Sequence, residues 1–384
     1  MADLLRRCEV STVEPASTAA PEAAGAPGAP VAPRRTMRAA CTVAKETIRF
    51  EERPVPVPAA GQALIRVETV TLCGTDLHIW EDDYATELPM VQGHEFSGVI
   101  EQLPEPHPTL AVGDRVAVSP VLACGRCHAC SIGRENACAR MSVYGCYDVE
   151  GALTELMAVP VTKLFRVPDG LPAPLASLCE PAGIAMQAVN RGRPVAGEKA
   201  LVLGSGPIGL LCTLYLTSLG VEVTAADTVP ERCAFAREFG AVDTLLIDPA
   251  VPFPDPHQAE RTAAWTGGHG PSLVFEATGV PSSLNNALRA VATAGRVVAV
   301  GISDREVTFS MRTLPVKDID LIGSRNSQDL IGEAAQLLSR HRRQAETLIT
   351  HRFAFDRAGE AFETMRSRSG TVGKVAVDMP GAAR

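Results

Sequence analysis

The chain has 384 residues, enough for two domains of ordinary size, each with its own core. With 44 acidic against 36 basic side chains the net charge is −8, so the basic surplus that draws nucleic acid or an anionic membrane surface is missing. Of 11 cysteines, five sit in metal-binding patterns, while Cys8, Cys41, Cys146, Cys179, Cys212 and Cys233 are scattered without disulfide-framework spacing. Thiols kept reduced for a metal point to the cytoplasm.

The opening MADLLRRCEV lacks the apolar stretch of a secretory signal, and residues 11–36 are almost wholly Ala, Pro, Gly, Ser and Thr. Few of these side chains can fill a core, so residues 1–36 read as a disordered tail. Met37 opens a β-rich stretch that runs to residue 183. ALIRVETV (63–70), FSGVIEQL (96–103) and DRVAVSPV (114–121) read as strands, and Pro54, Pro56 and Pro58 suit a sheet edge or an extended connector.

Within this stretch, ACGRCHACSIGRENAC carries Cys124, Cys127, Cys130 and Cys138 with spacing C-x2-C-x2-C-x7-C. Two tight turns, the first loosened by Gly125, and a returning arm gather four thiolates, the complete soft-ligand set of a tetrahedral Zn²⁺. No position is left for water or substrate, so this zinc is structural. A ferredoxin-type cluster uses a last gap of three followed by proline; here the gap is seven and no proline follows.

After Pro181 the pattern changes. ALVLG (200–204), VEVTAAD (221–227), LVFEATG (273–279) and RVVAVG (296–301) are short apolar runs separated by helix-length stretches. That alternation predicts an α/β, doubly wound parallel sheet of the Rossmann type over residues 184–322. Residues 200–221 are uncharged, long enough to cross a bilayer, but their glycines and proline favour strand, turn and buried helix over a membrane span. The segment 323–384 returns to helix and ends in a strand at VGKVAVDM (372–379), which closes back onto the first domain.

GSGPIG follows the first apolar run and opens an apolar helix, supplying Gly204, Gly206, Pro207, Ile208 and Gly209. The first glycine allows the turn, the second lets the backbone approach a pyrophosphate, and the third permits close helix–strand packing. Asp227 ends the next strand, 23 residues after Gly204. A carboxylate there accepts from the ribose hydroxyls and repels a 2′-phosphate, which favours NAD over NADP. Arg232, about one turn into the following helix, either reaches the same ribose or stays exposed.

Ahead of the cysteine lobe lie CGTDLH, with Cys73, Thr75, Asp76 and His78, and GHE, with His94 and Glu95. A thiolate, an imidazole and a carboxylate make a three-ligand set that leaves zinc an open position, the arrangement of a catalytic site.

In their order, CGTDLH, GHE, the four-cysteine lobe, Glu180–Pro181 and GSGPIG resemble the medium-chain zinc-dependent alcohol and polyol dehydrogenases over roughly residues 37–378. The resemblance implies a GroES-like β-barrel catalytic domain (37–183, completed by 323–384), a Rossmann domain, two zinc ions per chain, NAD, a small-molecule alcohol substrate and a homodimer or homotetramer. It assigns Cys73 and His94 to the catalytic zinc. Glu95 and Glu180 are then the two carboxylates that bind the metal directly or through its water. Asp76 orients His94 through its other ring nitrogen. Thr75 and His78 look like the proton relay, carrying the alcohol proton outward by way of the cofactor ribose while hydride goes to the nicotinamide. One departure concerns LPEPHPTLAVGDRV (103–116), which lacks the glycines usual before the GDRV strand.

Glu180–Pro181 and DIDLIGSRN (318–326) are similar to the polyol and sugar-acid branch, which implies oxidation of a secondary alcohol. By that likeness Arg325 meets a hydroxyl chain or a carboxylate, against a structural or cofactor-phosphate role. The close match of CGTDLHI keeps L-threonine 3-dehydrogenase as a rival. A non-catalytic zinc and nucleotide-binding relative is the alternative of another class, marked by loss of Cys73, His94, Thr75 or His78, all of which are present.

Overall fold

The computed structural model describes residues 35–367 and 372–381, so nearly all of the expected tail lies outside the described residues. The long strand Gln62–Thr71 organises the first half because its inward side chains, among them Ala63, Ile65, Val67 and Val70, are buried. Glu95–Gln102 pairs antiparallel along one edge. The other edge is shared. Leu156–Pro160 covers residues 62–66, and Lys374–Asp378 covers 69–71, so a strand from the chain's end lies beside the strand that leads to Cys73. Arg115–Val118, Leu164–Arg166 and Ile349–Ala354 complete this seven-stranded sheet. The run read as one strand over 114–121 is broken at Ser119–Pro120 into Arg115–Val118 and Val121–Leu122, since proline cannot donate to a ladder. Thr47–Pro54 lies at the edge of a separate three-stranded sheet, where Pro54 leaves no ladder bond unmade.

A second sheet holds six parallel strands in the order Asp243–Leu246, Glu222–Asp227, Lys199–Leu203, Leu273–Glu276, Arg296–Ala299, Asp320–Gly323. Numbered along the chain this is 3-2-1-4-5-6, with the change of direction after Lys199–Leu203. The apolar runs showed four of these strands. Asp243–Leu246 and Asp320–Gly323 are edge strands with half-exposed residues, so their weaker apolar pattern hid them. Among the described residues no helix is long and apolar enough to cross a membrane.

Helix Cys179–Gly192 joins the two halves. Its first turn carries Glu180, and at its far end Gly192 is pressed on the sheet: a Cβ there would lie 3.0 Å from the Phe275 ring. Leu178, Ala182, Ala185 and Val189 are buried in the same core as Val202 and Phe275.

Candidate active site

Cys73 stands where strand Gln62–Thr71 has ended and helix Gly74–Trp80 begins. Its backbone N–H donates to Asp76 Oδ2 at 2.8 Å, while Asp76 Oδ1 accepts from Gly93 N–H at 3.1 Å. The same Oδ1 lies 3.5 Å from His94 Nδ1. One buried carboxylate therefore holds Cys73, Gly93 and His94 in register. Burial alone would depress the His94 imidazole, but Asp76 and Cys146 outweigh it and raise its pKa. The ligand atoms of Cys73, His94 and Glu95 all lie within 4.8 Å of one another.

Glu180 is not in that tight set. It is buried, its Oε2 has no hydrogen-bond partner, and its electrostatic neighbours are His94, Glu95, Lys374 and Asp76. Burial pushes its carboxyl up to about 7. A buried oxygen without a donor is costly unless something else pairs with it, and a cation beside Cys73 and His94 would. Glu95 is engaged differently: Oε2 accepts from Thr71 Oγ1 at 2.6 Å and Oε1 pairs with Lys374 Nζ. Sequence reasoning missed Lys374, whose signal was a single lysine in the apolar strand GKVAVDM. It also missed Cys146, whose Sγ lies 3.8 Å from His94 Nδ1.

Thr75 is half-buried at the start of the helix, and His78 is exposed one turn on with Nδ1 2.9 Å from Asp83 Oδ1. His78, Glu81 and Asp83 form an exposed cluster of their own.

The glycine turn fits a dinucleotide. Gly204 has φ +95°, and a Cβ on Gly209 would fall 1.8 Å from Gly204 O, so neither tolerates a side chain. A Cβ on Gly206 would meet nothing within 4 Å, which leaves the space a pyrophosphate needs at the N-terminus of helix Pro207–Ser218. Asp227 Oδ2 accepts from Ser205 N–H at 2.7 Å and Oδ1 from Val229 N–H at 3.0 Å. Half-buried Arg232 lines a small cavity with Ser205, Gly206, Pro207, Val372 and Gly373. Ile208 is in the first turn of that helix.

In the cysteine lobe Cys127 Sγ lies 3.5 Å from Cys130 Sγ and 3.8 Å from Cys138 Sγ. Zinc–sulfur bonds of ~2.3 Å in a tetrahedron set sulfurs about 3.8 Å apart, so the lobe has the dimensions of the ion. Backbone N–H groups of Cys124, Ala139 and Arg140 point at the sulfurs. The Arg126 backbone N–H leads the effects that lower the Cys124 thiol to about 6. Within the lobe, Asn136 Nδ2 donates to Arg325 O at 2.8 Å; the Arg325 side chain itself is exposed.

Comparison with known proteins identifies the family. The alcohol dehydrogenase GroES-like domain matches residues 59–169, and the zinc-binding dehydrogenase family matches 207–340. L-Galactonate-5-dehydrogenase of Escherichia coli strain K12 is 34% identical over 84% of this chain and 93% of that protein. The chain belongs to the medium-chain zinc-dependent alcohol and polyol dehydrogenases. L-Threonine 3-dehydrogenase of Bacillus licheniformis is 32% identical, covering 85% of this chain and 94% of that one. Among solved structures, Escherichia coli RspB complexed with NADH superposes with a TM-score of 0.81 at 29% identity, over 89% of this chain and 99% of that one. The dehydrogenase is thus a zinc-dependent oxidoreductase, and the GroES-like and Rossmann folds expected of it are the two sheets described.

Proposed function

We propose that this dehydrogenase oxidises a secondary alcohol of a polyol or sugar acid with NAD⁺, using one catalytic and one structural zinc. The observation that carries the reading is the gathering of Cys73, His94 and Glu95, with the orphaned Glu180 oxygen as an electrostatic neighbour of His94 and Glu95, in a chain that also carries the glycine turn. When bound, the catalytic zinc lowers the pKa of an alcohol it holds, and NAD⁺ accepts the hydride. Cys73, His94 and a carboxylate hold that ion, and Asp76 fixes the His94 ring. Thr75 takes the alcohol proton and His78 releases it to solvent, its ring held by Asp83. Asp227 selects NAD, and its anchoring by two backbone N–H groups supports that role. Arg325 is assigned to the substrate on the likeness of its segment alone.

The division into a catalytic part (37–183 and 323–384) and a cofactor part (184–322) is supported by the pairing of Lys374–Asp378 with Gln62–Thr71. A homodimer or homotetramer is supported by the open edge strand Asp320–Gly323, with Leu321 and the neighbouring Ile302, Met311 and Val316 exposed. A cytoplasmic location is supported by ten described cysteines, all free.

The test is NADH production from a panel of polyols, aldonates and threonine. Fastest turnover of a polyol or aldonate is expected. Threonine as the best substrate would support the second reading, which the 32% identity to a threonine dehydrogenase favours. One zinc per chain and no turnover of any alcohol would point to a non-catalytic protein.

A further inference from the structure

Two tyrosines outside the metal set are built into the same corner. Tyr147 has φ +58°, a left-handed backbone that a bulky aromatic residue rarely adopts and that marks a position worth explaining. The loop that carries it is pressed on the metal set. A Cβ on Gly145 would lie 2.6 Å from Gly93 N, and one on Gly151 2.5 Å from Gly93 O, directly before His94. Cys146, the residue before Tyr147, abuts His94 Nδ1 at 3.8 Å. Tyr147 N–H is taken by the buried Thr86 hydroxyl at 2.8 Å.

Tyr84 follows Asp83, the partner of His78, and lies within electrostatic reach of Cys146 and His94. The two phenol oxygens are 3.2 Å apart and the ring centroids 5.9 Å. Each phenol is thus one residue from a group that touches His78 or His94. Burial, then the Tyr147 hydroxyl, raise the Tyr84 pKa, so the phenol stays protonated and a donor. One O–H proton of the pair is spent between the oxygens; the second is spare.

We propose that the Tyr84–Tyr147 phenol pair is a specificity element that hydrogen-bonds a second hydroxyl, vicinal to the carbinol being oxidised. It rests on the reading of an alcohol dehydrogenase given above and adds to it the residues that separate a polyol from a simple alcohol. The spare phenol O–H rewards a substrate with a neighbouring hydroxyl, while an analogue lacking it leaves that donor without the substrate as a partner.

The probes are 2,3-butanediol and 2-butanol with NAD⁺, on the full chain and its Tyr84→Phe and Tyr147→Phe variants, both of which keep the ring. Loss of one hydrogen bond predicts a fall of about tenfold in kcat/KM for the diol, carried by KM, and a change within about twofold for 2-butanol. Thermal shift reads binding without turnover: the diol raises the Tm of wild type, and by less in either variant. Equal losses for both alcohols, or no loss for the diol, overturn the assignment. So does a wild type whose Tm the diol does not move. Wild type stabilised by the diol but producing no NADH with either alcohol would instead overturn the catalytic reading and leave the phenol pair judged by the Tm shifts.

Discussion

Lys374 and Glu95 form a buried ion pair, 5% and 1% exposed, between strands Lys374–Asp378 and Glu95–Gln102. The lysine also donates to Leu72 O at 3.2 Å, immediately before Cys73, and Glu95 accepts from Thr71 at 2.6 Å. A cation among Cys73, Glu95 and Glu180 offsets the repulsion of three acidic groups gathered in one buried corner. Breaking a buried pair leaves an uncompensated charge, so Lys374→Met should destabilise the protein by about 3–5 kcal/mol. Adding Glu95→Gln to that variant should recover part of the loss. Urea unfolding of both and of the single Glu95→Gln variant, as a double-mutant cycle, checks it; strictly additive losses would show that the two do not act as a pair.

Gly206 and Gly209 share a motif but face different surroundings. In Gly209→Ala the new methyl would stand 1.8 Å from Gly204 O, so the helix must move off the strand. Poor folding or a large drop in Tm is expected. At Gly206 the methyl meets no protein atom within 4 Å. Gly206→Ala should fold with a Tm near that of wild type and yet lose at least about tenfold in NADH affinity, because the methyl takes the place of the pyrophosphate. Fluorescence titration with NADH, beside a melting curve, separates the two. Unchanged affinity in Gly206→Ala would remove the cofactor from this turn.

The two metal sets should respond differently to loss of a ligand. Elemental analysis should find two zinc ions per chain, falling to one in both Cys73→Ala and Cys130→Ser. Cys73→Ala should abolish turnover with a modest change in Tm, since a set of Cys73, His94 and one carboxylate leaves zinc an open position. Cys130→Ser should lower Tm strongly, because a closed four-thiolate site contributes to folding itself. Two zinc ions retained in Cys73→Ala would place the second ion elsewhere.

What could be read from the sequence is what is local in it. Four cysteines within 15 residues and a glycine turn between an apolar strand and helix declare their geometry because short chain segments impose it. Asp76 and His94 are 18 residues apart, and their contact was legible only through likeness to a family. Lys374 meets Glu95 across 279 residues; the return of its strand to the first domain was legible, but not the register that sets Lys374 beside Glu95. Cys146 lay in a stretch without strand or helix periodicity, and its place behind His94 depends on glycines at 145 and 151 packing on Gly93. Glu180 was found as a motif, but its distance from the tight three-ligand set depends on where helix Cys179–Gly192 starts.

Asp227 offers a last test, because it does two things at once. Its oxygens accept from Ser205 and Val229 N–H, fixing the glycine turn to the end of the neighbouring strand, and the carboxylate's remaining acceptor capacity is available to a ribose. Asp227→Ala removes both. Two orphaned N–H groups at about 1–3 kcal/mol each should lower stability, and lost charge-assisted bonds to the ribose should raise KM for NAD⁺ by about tenfold or more. Asp227→Asn keeps an acceptor for one backbone donor but loses the charge, so it should recover most of the stability without restoring the preference for NAD⁺ over NADP⁺. If the Asn variant discriminates the two cofactors as wild type does, selection lies in shape around Arg232 rather than in repulsion of a 2′-phosphate. If it is no more stable than the Ala variant, the backbone anchors contribute little, and the carboxylate serves the cofactor alone.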